Sequence, residues 1–492
     1  MTITSVLDTS NRIPGSYIEV QLGVGISSAG DAPRKVLLCG HETSAGSATA
    51  DTPVAVYSEA DAVDLFGQGS ELHLMVRSAL RAYRGVTLFA VPLAEPGAGT
   101  AASDATLIFS SGPSTADGSV TLYIRGERID VAIPSGSSAT VAGGLVADAI
   151  NDLPDLPVTA SNGAGTVTVT AKTKGTRGNN ISIRSSGTAT GLAIAHGSPR
   201  YLASGATVDT ITTALAAIDP ERYHLIAVAH DDAVTVGLWK THVNDNAAPT
   251  EGRRQQVVCG TKDTLANAIT LATGINAARV QVAWHYNADD EPSVVAAAVA
   301  STRAGLEGAD PAAPMSQPHG TVLGGLRPQY ATADRPISSE LKSALDNGIT
   351  PVSLDNAGNA YILRSVTSRS QDTTGAPNYA VLDTSKVTVP DYVADQLESW
   401  WSSFVQVAGK LAPDDADGEP PPPGVATPST IKDGIYAELK ALEPQMLVNV
   451  DLQLPNLVVE IAASPDGRVN ALIPCDVVEG AYQFAAGVQQ VG

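Results

Sequence analysis

The chain has 492 residues, 43% hydrophobic and 16% charged, with a formal net charge of −21. It is too long for one ordinary core and too apolar for disorder, so several folded domains are expected. The acidic balance argues against wrapping nucleic acid, whose phosphates need a basic surface, and against anionic membranes. Cys39, Cys259 and Cys475 are odd in number and far apart, which fits buried reduced thiols rather than a disulfide framework. The opening MTITSVLDTSNRIPG has no apolar core, so no signal peptide is expected, and no stretch reaches the apolar length of a membrane helix.

In chain order, Pro14-Gly15 is turn chemistry and Tyr17, Ile18, Glu19 and Val20 form a β-prone extended arm. Residues 35–40 (KVLLCG) read as a short buried strand. Residues 58–93 read as helix, glycine break, helix, turn and buried strand. Ser58 caps the first helix, with Asp61 three residues on. Gly67 and Gly69 break the run, and Ser70 caps a second helix. That helix repeats Leu72, Met75, Val76, Ala79, Leu80 and Tyr83 at helical spacing.

Residues 100–200 turn rich in Ser, Thr, Gly and Ala. Strands are expected at 105–109, 120–124, 128–133, 166–170 and 181–184, with one helix over 140–153. Between 171 and 183 the reading is strand, hairpin turn, strand, with Lys172, Lys174 and Arg177 either touching an acidic partner or, as is more usual, on a solvated turn. From 207 helices and strands alternate: helices at 207–218, 233–244, 263–273 and 292–307, strands at 223–229, 255–259 and 279–285. That rhythm implies a largely parallel, helix-covered sheet.

The last third starts with a helix at 339–346 and a hairpin joining 352–355 to 359–365. An amphipathic helix over 391–409 carries Val393, Leu397, Trp400 and Phe404 on one face, with Trp401 one step round as a contact candidate. Four prolines make the loop 412–429 a semi-rigid exposed spacer. Thr430 and Asp433 suggest a capping box for a helix over 431–442, and closing strands are expected at 448–454, 457–462, 468–474 and 482–491. The fold class is mixed α/β and multi-domain: a helix-covered, largely parallel sheet, a small inserted β-rich domain, and a C-terminal α+β assembly domain with extended terminal arms. Expected bounds are 1–22 for the N-terminal arm, 23–99 and 204–320 for the α/β domain, 100–203 for the insert, 321–479 for the assembly domain and 480–492 for the C-terminal arm.

Motifs that carry chemistry are few. Gly23-Val24-Gly25 lacks the third glycine of a nucleotide loop, and Lys262 lacks the upstream glycine of a P-loop. His230-Asp231-Asp232 sits at a strand end, where ligands often bind, but helix capping by an aspartate accounts for it. No HExxH or GxSxG element occurs, and Asp414, Asp415 and Asp417 lack the closing glutamate of a calcium loop. No catalytic, cofactor-binding or metal residue is assigned, and no cofactor is expected.

The segment ADAVDLFGQGSELHLMVRSALRA, with its FGxGSxLxxMV core, resembles the helix–helix–strand of contractile phage tail sheath proteins of the Mu-like type. RIPGSYIEV, KVLLCGH, the AKTKGTRGNNISI turn and the closing PNLVVEIAASPDGRVNALIPCDVVEGAYQFAAGVQQV are similar to the same family. The resemblance implies a structural, non-enzymatic subunit that stacks as rings of six around a tail tube and contracts to drive the tube through a cell envelope. It implies the tail tube, baseplate and tail terminator proteins as partners, with assembly in the host cytoplasm and residence in the virion tail. Direct nucleic-acid contact and stable membrane insertion are not expected. It also implies terminal arms that add strands to a neighbour's small sheet: Tyr17, Ile18, Glu19 and Val20 in front, Tyr482, Gln483, Phe484 and Val488 behind, with Gly15, Gly23, Gly25 and Gly480 as hinges. The insert is expected to decorate the outer surface and to be removable without unfolding the rest. The alternatives are an α/β enzyme or ligand-binding protein with an inserted β domain, and another self-assembling surface protein.

Overall fold

A computed structural model describes residues 34–197, 200–316, 321–327, 332–415, 421–463, 467–487 and 489. Tyr17, Ile18, Glu19, Val20, Gly15, Gly23, Gly25 and Val488 lie outside the described residues.

The chain enters on strand β1 (Lys35–His41) and a short β2 (Val54–Val56), then helices α1 (Glu59–Phe66) and α2 (Glu71–Ala82), then β3 (Thr87–Leu93). Ser58 and Ser70 cap the two helices as expected, their hydroxyls accepting from the Asp61 and His73 amides at 3.1 and 3.0 Å. Gly67 and Gly69 both take positive φ. A Cβ on Gly69 would lie 2.5 Å from the carbonyl oxygens of Pro154 and Leu156, so this glycine also lets the insert approach.

The insert follows: β4 (Ala101–Ser111), β5 (Gly118–Ile124), β6 (Glu127–Ile133), α3 (Ala139–Asn151), β7 (Val158–Gly163), β8 (Thr166–Lys174), β9 (Ile183–Thr188) and β10 (Leu192–His196). These make a four-stranded sheet ordered β10-β4-β8-β7 and a three-stranded sheet ordered β6-β5-β9 around a core of their own. The hairpin expected between 171 and 183 is therefore corrected. β8 pairs with β4 and β7, whereas β9 pairs with β5. The 3-10 turn Thr176–Asn180 between them is a crossover, and its Arg177 and Gly178 are buried rather than solvated.

Alternation resumes with α4 (Thr212–Ile218), β11 (Leu225–Val228), α5 (Ala233–Asn246), β12 (Gln256–Thr261), α6 (Leu265–Ile275), β13 (Val280–Trp284), α7 (Pro292–Ala309) and α8 (Ser338–Asp346). β14 (Ile349–Leu354) and β15 (Ala360–Ile362) form the expected hairpin. It does not stand apart in the last third: β14 pairs parallel with β13, completing an eight-stranded sheet ordered β15-β14-β13-β12-β11-β1-β3-β2. The sheet is parallel except at its two edges, where β2 and β15 run antiparallel.

Alternate residues of β1 point to opposite faces. Val36 and Leu38 join the layer formed with α2 and α7, and Leu37 and Cys39 the layer formed with α5 and α6. The alanine-rich α7 is buried almost throughout because small side chains let α2 and the sheet close on both sides. Ser78 donates to the Val294 carbonyl at 3.0 Å and Ser301 to the Ala79 carbonyl at 2.7 Å.

The C-terminal lobe contains α9 (Ser385–Val407), two short bridging strands β16 (Lys410–Leu411) and β17 (Val425–Ala426), α10 (Pro428–Leu442), a single turn α11 (Val450–Gln453), and the antiparallel pair β18 (Val458–Ile461) and β19 (Val469–Leu472). The amphipathic helix starts earlier than its pattern indicates and runs through Pro390. Buried polar anchoring of its first turns accounts for this: Thr388 receives a hydrogen bond from Gln256 at 3.1 Å. The cap of α10 is Thr427 rather than Thr430. Pro428 takes the first helical position, where a missing N–H costs nothing, and Thr430 reciprocates to the Thr427 amide at 2.8 Å. The strand expected at 448–454 is the turn α11 instead, opened by Asn449 in the left-handed region. Residues 482–487 carry no strand in this single chain. Among the described residues no helix is long and apolar enough to cross a membrane, and no cluster of three His, Cys, Asp or Glu could hold a metal.

Candidate functional site: a filled crevice, an arginine rack and an open hairpin

In parallel α/β sheets the crevice beyond the carboxyl ends of the strands is the usual ligand site. Here the ends of β1, β11, β12 and β13 supply His41, His230, Lys262 and His285, and the insert's own turn fills the space. Arg177 reaches Asp209 at 2.7 Å and Glu71 at 3.4 Å. Asp209 also accepts from His41 at 2.9 Å and from His230 at 3.2 Å. Trp239 donates to the other nitrogen of His230 at 3.3 Å, so the His230 proton sits on Nε2, facing Asp209. Burial alone would raise Asp209; the hydrogen bonds from His230 and His41 and the Arg177 charge outweigh it and hold its carboxyl well below the usual range. Lys262 donates to the carbonyls of Asn180 and Ala288 and sits over the Tyr201 ring at 4.2 Å. Its burial pulls its pKa down to about 8. Asp232 caps α5 by accepting from the Thr235 amide at 2.8 Å.

A second joint lies beside the first. Asp289, Asp290 and Glu291, just before α7, are buried and face arginines of the insert. Arg125 pairs with Asp290 and Glu291, Arg184 with Asp289 at 2.7 Å, and Arg200 with Asp289 at 3.5 Å. The insert is thus fixed by buried ion pairs rather than by apolar packing, and composition gave no sign of this.

At the opposite, amino-terminal edge of the sheet, Arg222, Arg254 and Arg279 precede β11, β12 and β13. They meet an acidic stripe on α9. Arg279 clasps Asp391 with two bonds of 2.7 Å, Arg254 holds Asp395 and Glu398 at 3.0 and 2.6 Å, and Arg222 holds Asp395 at 2.9 Å. In the same region His224 accepts from the Lys35 amide through Nδ1 at 3.1 Å. Burial, with Arg222, Arg34 and Lys35 nearby, pushes its pKa from 6.5 down to about 3. Because the folded state keeps this ring neutral while the unfolded chain protonates it, its contribution is intact above pH 6.5 and is lost as pH falls towards about 3. Urea unfolding at pH 7.5 and pH 5 should show a lower midpoint at pH 5, and His224→Asn, which keeps an acceptor, should reduce the difference, the remainder coming from His73, His230 and His242, which burial lowers in the same direction.

Among the described residues the C-terminal lobe is incompletely covered. Its core is ringed by half-buried apolar residues, among them Trp401, Phe404, Tyr436, Val459 and Val469. Gly434 lets α10 close on Trp400, since a Cβ there would lie 2.3 Å from that ring. Trp400 stacks on Phe404 with ring centres 4.9 Å apart. Among the described residues no third strand pairs with β18 or β19, so both edges of the pair are open there. Beyond it the tail is pinned to the lobe by the Leu447–Val477 bridge and by Val478, whose amide donates to the Met446 carbonyl at 3.2 Å. Tyr482 is half-buried under the Arg364 guanidinium at 4.3 Å, whereas Gln483 and Phe484 are exposed, Phe484 by 93%. Gly480 is a packed bend: a Cβ there would lie 2.5 Å from the Tyr482 ring and 2.9 Å from Pro314.

Residues 204–368 match the family model of the phage tail sheath protein central domain. The chain is similar to the Mu-like prophage FluMu tail sheath protein of Haemophilus influenzae, 26% identical over 483 residues that cover 97% of each chain. Among solved structures it is similar to a sheath tail protein of Desulfitobacterium hafniense, at 16% identity and TM-score 0.46 over 91% of this chain and 93% of that one. It is also similar to a chain of the anti-feeding prophage baseplate, at 11% identity and TM-score 0.48 over 98% and 99%. Over residues 204–368 the chain thus matches the central domain of phage tail sheath proteins, and along nearly its whole length it is similar to a Mu-like tail sheath protein.

Proposed function

We propose that this protein is the structural subunit of a contractile tail sheath. It polymerises as stacked hexameric rings around a tail tube and contracts to drive the tube through the target envelope. Its partners are further copies of itself, the tail tube, and the baseplate and tail terminator proteins. It assembles in the host cytoplasm and resides in the virion tail. The observation that carries this reading is the sheath central-domain match at 204–368 within a chain similar to a Mu-like sheath protein over 97% of its length. The crevice where an α/β enzyme would bind its ligand is filled by Arg177 and its turn, which suits a structural role.

The open β18–β19 pair supports strand exchange. A strand added at either edge would satisfy exposed backbone groups and cover the half-buried rim of the lobe. The arm residues 17–20 and 482–488 are the proposed donors. A contact that repeats head to tail without closing builds a helical filament, as a sheath requires. Negative-stain microscopy of the purified protein, alone and co-expressed with its tube protein, should show hollow tubes or stacked rings of uniform width. A chain stopped after Tyr482 should stay folded and form none. Discrete monomers from the full chain even with the tube present would overturn the sheath reading.

A further inference from the structure

The C-terminal arm does not leave the subunit at Gly480. Residues 476–478 are bonded to 446–448, with Val448 donating to the Asp476 carbonyl at 3.0 Å and Val478 to the Met446 carbonyl at 3.2 Å. Four residues on, Tyr482 packs back over Gly480, which also lies against Pro314, and Arg364 lies across the Tyr482 ring at 4.3 Å. Arg364 is itself held rigid. Its guanidinium takes both oxygens of Asp383 at 2.8 and 2.9 Å, and its backbone bridges Ser316. A planar guanidinium fixed by a bidentate carboxylate is a preorganised platform for an aromatic ring. The phenol is pushed up by burial, in keeping with a ring withdrawn from water. The Lys386–Glu479 pair adds little, since Glu479 is largely exposed. Past Tyr482 the pattern stops, and residues 483–487 are exposed.

We propose that Tyr482 is the anchor that divides the arm: the root through Tyr482 stays clamped to its own subunit by Arg364 and Asp383, and the tip that reaches another copy begins with the exposed residues 483–487. The role of the tip rests on the sheath reading; the anchor does not. It moves the hinge from Gly480 to the 482–483 junction and shortens the free reach of the arm. It also reassigns Tyr482 from exchanging strand to fixed pivot.

Limited chymotrypsin digestion of the full chain, read by mass spectrometry, tests the anchor directly. Cleavage after Phe484 should come first, with Tyr482 spared. Arg364→Ala should open cleavage after Tyr482, raising its rate about tenfold or more, the factor expected when roughly 1.4 kcal/mol of local protection is lost. Because Arg364→Ala also strands Asp383, a second variant is needed. Tyr482→Ala removes only a half-buried ring, and with a protease of broad specificity it should move the first cut to residues 479–482. Equal wild-type cleavage at Tyr482 and Phe484, or no change in either variant, would overturn the anchor. If digestion behaves as expected but a chain stopped after Tyr482 still forms tubes, the anchor stands and the exchange role of the tip fails.

Discussion

Arg125→Ala is expected to destabilise the protein by about 3–5 kcal/mol, the usual cost of stripping one partner from a buried ion pair. Arg125 is buried between Asp290 and Glu291. Asp290 keeps the Arg327 amide at 2.6 Å, but Glu291 loses its arginine and stays enclosed by the insert. Replacing the whole of residues 100–203 by a short linker should cost less than this single change. The face it uncovers is polar, and Asp209, Asp289, Asp290 and Glu291 would then be hydrated by water instead of being left unpaired. Denaturant midpoints of the two variants decide the matter. An excised chain less stable than Arg125→Ala would mean that the insert contributes apolar packing the joint does not reveal, and would refute the expectation that it can be removed.

Arg303→Ala should have an effect of similar or greater size, about 3–5 kcal/mol, with the eight-stranded sheet as its target. Arg303 is 0% exposed within α7. It donates to Glu307 at 2.8 Å, to the Gln281 side-chain oxygen at 2.9 Å and to that of Gln256 at 2.8 Å. One guanidinium therefore ties the helix to β12 and β13, and its loss leaves two buried amide oxygens unpaired and Glu307 with only the longer Arg34 contact at 3.7 Å. Lysine cannot repair this, because one ammonium cannot span three acceptors in a plane. By contrast the Lys342–Asp346 pair lies on an exposed face of α8, and Lys342→Ala should leave the thermal midpoint unchanged. If both variants melt alike, the buried network carries no more weight than the surface pair.

The helices and strands of the α/β layers were legible because burial imposes a period. Leu72, Met75, Val76 and Ala79 repeat at helical spacing because that side of α2 enters the apolar core, and residues 36–39 are continuously apolar because both faces of β1 are covered. The Ser58 and Ser70 caps were legible for a local reason: a hydroxyl that satisfies an amide three residues on needs no tertiary context. Where two local readings competed, either a stronger local signal or a tertiary contact decided. Pro428 and Thr427 start α10 ahead of the Thr430 cap, and α9 runs through Pro390 because its early turns are held by Gln256.

The sites were less legible. Arg125 and Glu291 are 166 residues apart, and Arg177 meets Glu71 and Asp209 across sheet and insert, so no spacing in the chain announces either joint. Neither does anything in the run YQFAAGVQQV mark Tyr482 as clamped and Phe484 as free; that difference is made by Arg364 and Asp383, far away in the chain. By itself the sequence determined which segments are amphipathic, where helices cap, that the layers alternate and which family the glycine-broken helix pair resembles. These are short-range consequences of side-chain chemistry and periodicity. Only the tertiary structure decided that β14 extends the main sheet, that the insert's turn fills the crevice, that charge rather than apolar surface fixes the insert, and that the arm is held as far as Tyr482. Each depends on charges or backbone edges meeting across long stretches of chain, and that pairing energy exists only once the fold has brought them together.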